Sequence, residues 1–288
     1  MKSSRIEIDT SSSNFIVHVS ESPERKRRGI DQCLFEKNIN FDLTGIQLYF
    51  FAGWNPRLFD ALLVAGSVEY ADRIRRRPSL KWSRQFELHI PVHDPVWWNS
   101  SVVNSALIDC LQFLTGDQWS IQFHRRNKPY PQPLQLSIPL EPEVEAVIPF
   151  SEGLDSFIVS HIFGKSLGPK LVKVRLGSLP KNQAFRNLRA QPFSTIPYSV
   201  NLGHHRPVES SARSRGFKFL LMAGLAAYLA KANKVIIPES GQGVLGPVLV
   251  PVGQMYEDYR NHPLFTRKLE IFLELLVEKP VRFEFPQL

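Results

Sequence analysis

Beyond residue 143 the sequence alternates short apolar runs with helix-length runs, and this rhythm constrains the fold more than any other feature. Strand-like runs fall at residues 144–150, 171–176, 198–202 and 234–238, and helix-like runs at 156–165, 209–232 and 263–276. Strands that alternate with helices are joined by crossovers, so the expected product is a parallel sheet covered on both faces. In such a sheet ligands settle beyond the carboxyl ends of the strands.

The earlier part of the chain reads differently. Residues 1–40 form a polar, charged arm, expected to be partly flexible, with one β-like run at 15–19. Residues 56–77 have helical spacing, with Leu58, Leu62, Ala65 and Val68 on related turns and Pro56 suited to the first turn. Residues 84–92 alternate Phe86, Leu88, Ile90 and Val92, the pattern of a half-buried strand. A second helix is expected over 99–114, stopped by Gly116, and a second strand over 118–123 through Trp119, Ile121 and Phe123. Pro129, Pro131, Pro133, Pro139 and Pro142 then crowd together. Proline fixes φ and removes a donor, so this stretch favours an extended linker. The expected organisation is an α+β N-terminal extension over 1–128, a proline-rich linker over 129–143, and an α/β parallel-sheet domain over 144–288.

A chain of 288 residues, 43% apolar and 22% charged, has the composition of a globular protein and not of a disordered one. Its net charge of +8 suits phosphates, carboxylates or nucleic acid as partners. The start, Met1-Lys2-Ser3-Ser4-Arg5-Ile6-Glu7, has neither the apolar core nor the cleavage pattern of a secretory signal. The longest apolar run, residues 219–230, is too short to span a bilayer, so no membrane association is expected. Only Cys33 and Cys110 occur, which excludes a disulfide framework and an all-cysteine zinc site within this chain. A reducing cytoplasm is the expected compartment.

The run Val147-Ile148-Pro149-Phe150-Ser151-Glu152-Gly153-Leu154-Asp155-Ser156 reads as a buried strand, a hydroxyl-rich turn and a helix start. Backbone N–H groups at a helix start carry partial positive charge, and the flanking serines add rotatable donors. The turn suits an anion such as a phosphate. It is not the GxxxxGK[ST] loop, because it has no lysine and a single glycine.

A second signal is Arg213-Ser214-Arg215 at the start of a long helix. Cations there oppose the helix dipole, so they are poorly placed for helix stability alone. Arginines aimed at phosphates or at a carboxylate would justify them; a surface pair of no consequence is the alternative. Third, Gly241, Gly243 and Gly246 spell G-x-G-x-x-G after a strand, but Pro247 and Pro251 follow at once. No helix can begin where a dinucleotide's pyrophosphate would need one, so this is a loop, with Glu239 at its start a candidate site residue.

The turn matches, with one change, the SGGxDS signature of the PP-loop ATP pyrophosphatases, the adenine nucleotide alpha hydrolase-like fold. The turn, the arginine helix over 213–227, Pro238-Glu239-Ser240-Gly241 and Arg260-Asn261-His262-Pro263 occur in the order seen in QueC-like proteins, relatives of 7-cyano-7-deazaguanine synthase. The sequence most resembles the QueC-like members of bacterial anti-phage systems, QatC and its counterpart in type IV CBASS. Tyr70-Ala71-Asp72-Arg73, Trp82-Ser83-Arg84 and Leu114-Thr115-Gly116-Asp117-Gln118-Trp119 look like the N-terminal extension of those proteins.

The resemblance implies that Ser151, Glu152, Gly153, Leu154, Asp155 and Ser156 hold the phosphates of ATP with Mg²⁺, Asp155 also capping the helix. Arg213 or Arg215 would neutralise charge on the phosphates or on a carboxylate. Glu239, Arg260 and His262 would line the far side of the cleft. The implied reaction is adenylation of a 7-deazaguanine carboxylate with release of pyrophosphate, followed by attack of an amine: ammonia, or the amino terminus of an acceptor protein. Two other readings are a scaffold that binds nucleotide or a defence-system partner without turnover, and a tRNA-modifying adenylase.

The sequence departs from the family pattern twice. Glu152 replaces the second glycine and sets a negative charge beside the phosphate position. The biosynthetic enzymes also carry a four-cysteine zinc site that is missing here. Either the domain is cut short at Leu288 or this lineage lacks the metal.

For the remaining polar groups the bland reading is favoured. His89 and His93 share a strand face with no third ligand in view, and His204-His205 is a solvated pair. The basic runs at 25–28 and 73–77 lack interleaved aromatics, so nucleic acid is not expected as a partner. Trp97-Trp98 reads as packing or a partner contact.

Overall fold

The computed structural model describes residues 14–25, 27–41, 55–76, 83–129, 143–151, 153–176, 193–196, 198–205, 213–239 and 259–286. Glu152, the prolines from 131 to 142, Trp82, the glycine loop at 241–246 and residues 209–212 lie outside that set.

Four strands of the first half, β1 (Asn14–Ser20), β2 (Ile30–Leu34), β4 (Gln85–Val92) and β5 (Gln118–Arg125), form a sheet in the order β2-β1-β4-β5. Every pairing in it is parallel. The alternation in β4 works as its pattern demands: Phe86, Leu88 and Ile90 are buried while Gln85, Glu87 and His89 are not. The region expected as an arm with one strand holds three, because β3 (Ile39–Phe41) pairs antiparallel with β9 (Tyr198–Val200). Neither β2 nor β3 has a sustained apolar alternation, and a three-residue strand such as β3 is fixed by its distant partner.

Helix α1 (Pro56–Ile74) starts where the sequence indicates, with Pro56 in the first turn and the Asn55 side chain accepting from the Leu58 amide at 3.2 Å. It is buried nearly all round, which suits a helix enclosed between other elements. Helix α2 (Ser101–Thr115) ends at Gly116, whose φ of 69° supplies the left-handed cap.

In the second half, β6 (Ala146–Pro149), β7 (Leu171–Leu176), β8 (Phe193–Ile196), β10 (Lys234–Ile236) and β11 (Arg282–Glu284) form a parallel sheet in the order β11-β10-β6-β7-β8. Helix α3 (Leu154–Leu167) covers one face, over a small core of Ala146, Ile148, Leu171 and Ile236. Helix α4 (Arg215–Leu229) covers the other, and α5 (Pro263–Val277) packs against α2 and α4. The second half is thus α/β with a parallel sheet, as expected, and the first half, expected as an α+β extension, also builds an all-parallel sheet. One expected strand of this sheet leaves it: Tyr198–Val200 pairs with β3, anchored by the Tyr198 hydroxyl donating to the Leu62 carbonyl at 2.6 Å.

The larger apolar core draws on both halves of the chain, from Val17 in β1 to Phe283 in β11. No described helix is long and apolar enough to cross a membrane.

Candidate anion site at the carboxyl edge of the second sheet

The order of the second sheet fixes where a crevice must open. The chain starts at β6 in the centre, moves outward through β7 and β8, then returns to β10 and β11 on the other side. The strand order reverses between β6 and β10, and the position beside such a reversal is where open α/β sheets take their ligands. The loop leaving β6 is the Ser151 turn.

Phe150 continues the sheet, its amide donating to the Val174 carbonyl at 2.7 Å, and the chain then turns into α3. Gly153 is the N-cap, and no side chain caps the helix. Asp155 was expected to cap; it is instead the second helical residue, with an exposed side chain. Leu154 points outward as well. A Cβ on Gly153 would lie 3.2 Å from the Ser151 hydroxyl, so the turn is tight where glycine stands.

Ser156 is 2% exposed. Its hydroxyl lies against the Ser151 carbonyl, 2.9 Å from the Gly153 carbonyl and 3.1 Å from the Ser151 hydroxyl. One hydroxyl has one proton, and here it goes to the turn itself. Ser156 thus shapes the loop, while Ser151 is exposed at its mouth.

Beside this turn lies a cavity of about 210 Å³ lined by Ser151, Arg215, Gly216, Pro238, Arg260 and Asn261 among others. Arg215 opens α4, its guanidinium 5.1 Å from the ring centre of Phe219. A Cβ on Gly216 would sit 2.5 Å from that of Arg260, so the lack of a side chain lets the Arg260 segment press on the first turn of α4. The Asn261 amide donates to the Glu239 carboxylate, which ties the loop after β10 to the segment before α5.

Ser151, Arg215 and Arg260 therefore meet at one cavity, with Glu239 held at its wall through Asn261. Two sequence candidates are placed elsewhere. Arg213 precedes the helix and donates to the Thr115 carbonyl at 3.2 Å. His262 is the N-cap of α5, accepting from the Leu264 amide at 3.1 Å, with its ring against Phe113 and Tyr259. Both serve the fold around the cavity.

Sequence reading missed the frame that holds α4. Asp72 Oδ2 accepts from the Ser214 amide at 2.9 Å and from its hydroxyl at 2.8 Å. The other Asp72 oxygen pairs with Arg84, whose side chain is fully buried and also donates to Asp117 at 2.6 Å. Burial opposes the guanidinium charge, but the hydrogen bond to Asp117 and the charges of Asp72 and Asp117 outweigh it and raise the pKa of Arg84. Asp72, Arg84 and Asp117 lie in the three pieces likened to the N-terminal extension, and that likeness was the one signal that could have found them.

The other polar groups are accounted for locally. His93 lies beyond the end of β4 and bonds Asp60 through its amide at 2.9 Å and its ring at 2.6 Å, so it does not pair with His89. Arg73 and Arg75 are tied to Glu69 and Asp31, and Trp98 is buried in the core.

The donor set suits an anion. About 210 Å³ is less than the roughly 300–1,000 Å³ of a drug-sized site, so the space matches a small anionic group better than a whole nucleotide. Among the described residues no group of three or more His, Cys, Asp or Glu side chains is placed to hold a metal. Magnesium would have to arrive with phosphates, and Asp155 is the carboxylate nearest the turn in sequence among the described residues; the described residues offer no ligand set for zinc. Comparison with protein-family models, characterised proteins and solved structures gives no significant match.

Proposed function

We propose that the protein binds the phosphates of ATP at this cavity and adenylates a carboxylate, of the 7-deazaguanine class implied by the resemblance to QueC-like proteins. The observation that carries the reading is the convergence of Ser151, Arg215 and Arg260 at the divergence point of a parallel sheet. The fold it implies is the PP-loop type.

In this reading the substrate carboxylate attacks the α-phosphorus, the bond to the β-phosphate oxygen breaks, and pyrophosphate leaves. The first-turn amides of α3 and the Ser151 hydroxyl donate to the departing oxygens. Arg215 and Arg260 stabilise the charge that builds on them. Losing one such donor lowers turnover by roughly 10²–10³. Mg²⁺, when bound, would neutralise phosphate charge. An amine then attacks the acyl carbon and AMP departs. Ammonia and the amino terminus of a protein, as in an anti-phage conjugation system, are the two acceptors that the resemblance implies.

One observation favours a second reading, nucleotide binding without turnover: the Ser156 hydroxyl is spent on the turn's own carbonyls. The test is to supply the full chain with ATP, Mg²⁺ and 7-carboxy-7-deazaguanine and measure AMP and pyrophosphate. Release of both supports the enzyme. ATP binding without release supports the scaffold.

A further inference from the structure

Lys173 is the third residue of β7 and is 5% exposed. Its register partner is Ile148, so it lies on the face of the sheet covered by α3. Side chains in strands lean along the strand, and an extended lysine spans about two residues of strand rise. Its ammonium accordingly reaches the level of Phe150, 5.3 Å from the ring centre of that residue. Phe150 directly precedes the Ser151 turn.

No carboxylate lies within ion-pair distance of this ammonium among the described residues. Of the described acids flanking β6 and its turn, Glu145 pairs with Lys170 and Asp155 is exposed. Burial alone pushes the Lys173 amine below its ordinary pKa, with nothing offsetting it. A cation whose stem is buried and which has a ring but no carboxylate beside it among the described residues opposes folding, so a fold that retains one beside a helix start points to an anion that arrives later.

We infer that Lys173 supplies the counter-charge for the anionic group bound at the β6–α3 turn, from the flank opposite Arg215 and Arg260. The ligand chemistry is that of a phosphate or pyrophosphate. This inference rests on the anion-binding part of the function proposed above and not on turnover. Held between cations on both flanks, such an anion is gripped from two sides of the sheet.

The experiment is calorimetric titration of inorganic pyrophosphate with Mg²⁺ into the full chain and into Lys173→Met, alongside the melting temperature of each without ligand. Methionine keeps the length and removes the charge. The inference expects pyrophosphate binding to weaken about tenfold or more, with a melting temperature equal to or above that of the parent. Equal binding by both proteins overturns the role of Lys173 and leaves the anion site standing. A parent that does not bind pyrophosphate overturns both. A Lys173→Met protein that melts well below the parent assigns the lysine to the fold and overturns the inference.

Discussion

Asp72 Oδ2 accepts both the backbone amide and the hydroxyl of Ser214, at 2.9 and 2.8 Å. One carboxylate oxygen in the first half of the chain thereby fixes the residue before Arg215, whose side chain lines the cavity. Arg84 binds the other oxygen and Asp117, and Arg213 reaches the carbonyl of Thr115. The first sheet and its helices are therefore the mount of the cavity as much as a separate unit.

Asp72→Ala leaves Arg84 buried with one carboxylate and strips Ser214 of its acceptor. Breaking a buried ion pair by removing one partner costs about 3–5 kcal/mol. Urea unfolding should show a loss of that order. A change below about 1 kcal/mol would mean that water replaces the carboxylate.

Gly216→Ala should weaken pyrophosphate binding more than it weakens the fold. The added methyl meets the Cβ of Arg260 at 2.5 Å and the Cα at 3.1 Å, so the Arg260 segment must move. Overpacking of this kind costs about 1–3 kcal/mol. Titration of pyrophosphate and thermal melting of the same variant separate the two effects.

His18, His89 and His124 share the outer face of the first sheet, with the His18 ring 5.6 Å from His124 and 6.0 Å from His89. Burial, then the charges of His18 and His89, hold the His124 pKa below its ordinary value, partly offset by Glu24 and Glu21. A base with a depressed folded pKa takes its proton more readily in the unfolded chain. Its stabilising effect is full above the ordinary imidazole pKa of about 6.5 and is lost as pH falls below it. The melting temperature should fall on acidification through that window, and less steeply in His124→Gln.

Cys33 and Cys110 are buried, and burial pushes both thiols above their ordinary pKa. Neither should react with a thiol reagent such as dithionitrobenzoate in the folded protein at neutral pH, since the thiolate is the nucleophile. Both should react once urea unfolds the chain. Rapid labelling of the native protein would contradict the packing around them.

The elements that were legible in the sequence carry their own signals. Pro56 opens α1, Gly116 stops α2, and the apolar run before Ser151 announces β6 and its turn. The pairing of Ile39–Phe41 with Tyr198–Val200 was not legible, because a long-range contact leaves no periodicity in so short a strand. Among the candidate site residues, Ser151, Arg215 and Arg260 line one cavity, whereas Arg213 bonds the Thr115 carbonyl and His262 caps α5. Sequence spacing put Arg213 and Arg215 in one helical turn, but the helix starts only at Arg215. Where a side chain points depends on what packs against it. Lys173 carried no signal at all, since one lysine in an apolar strand reads as an outward residue until the covering helix is known.

The central claim is that Ser151, Arg215 and Arg260 form one anion site. The most direct measurement is the dissociation constant of ATP with Mg²⁺ by calorimetry, for the parent chain and for Ser151→Ala, Arg215→Ala and Arg260→Ala. The account expects saturable binding by the parent and a loss of about tenfold or more in each arginine variant, the size of a charged hydrogen bond, with a smaller loss for Ser151→Ala. Binding that survives both arginine substitutions unchanged, or a parent that does not bind at all, would contradict it.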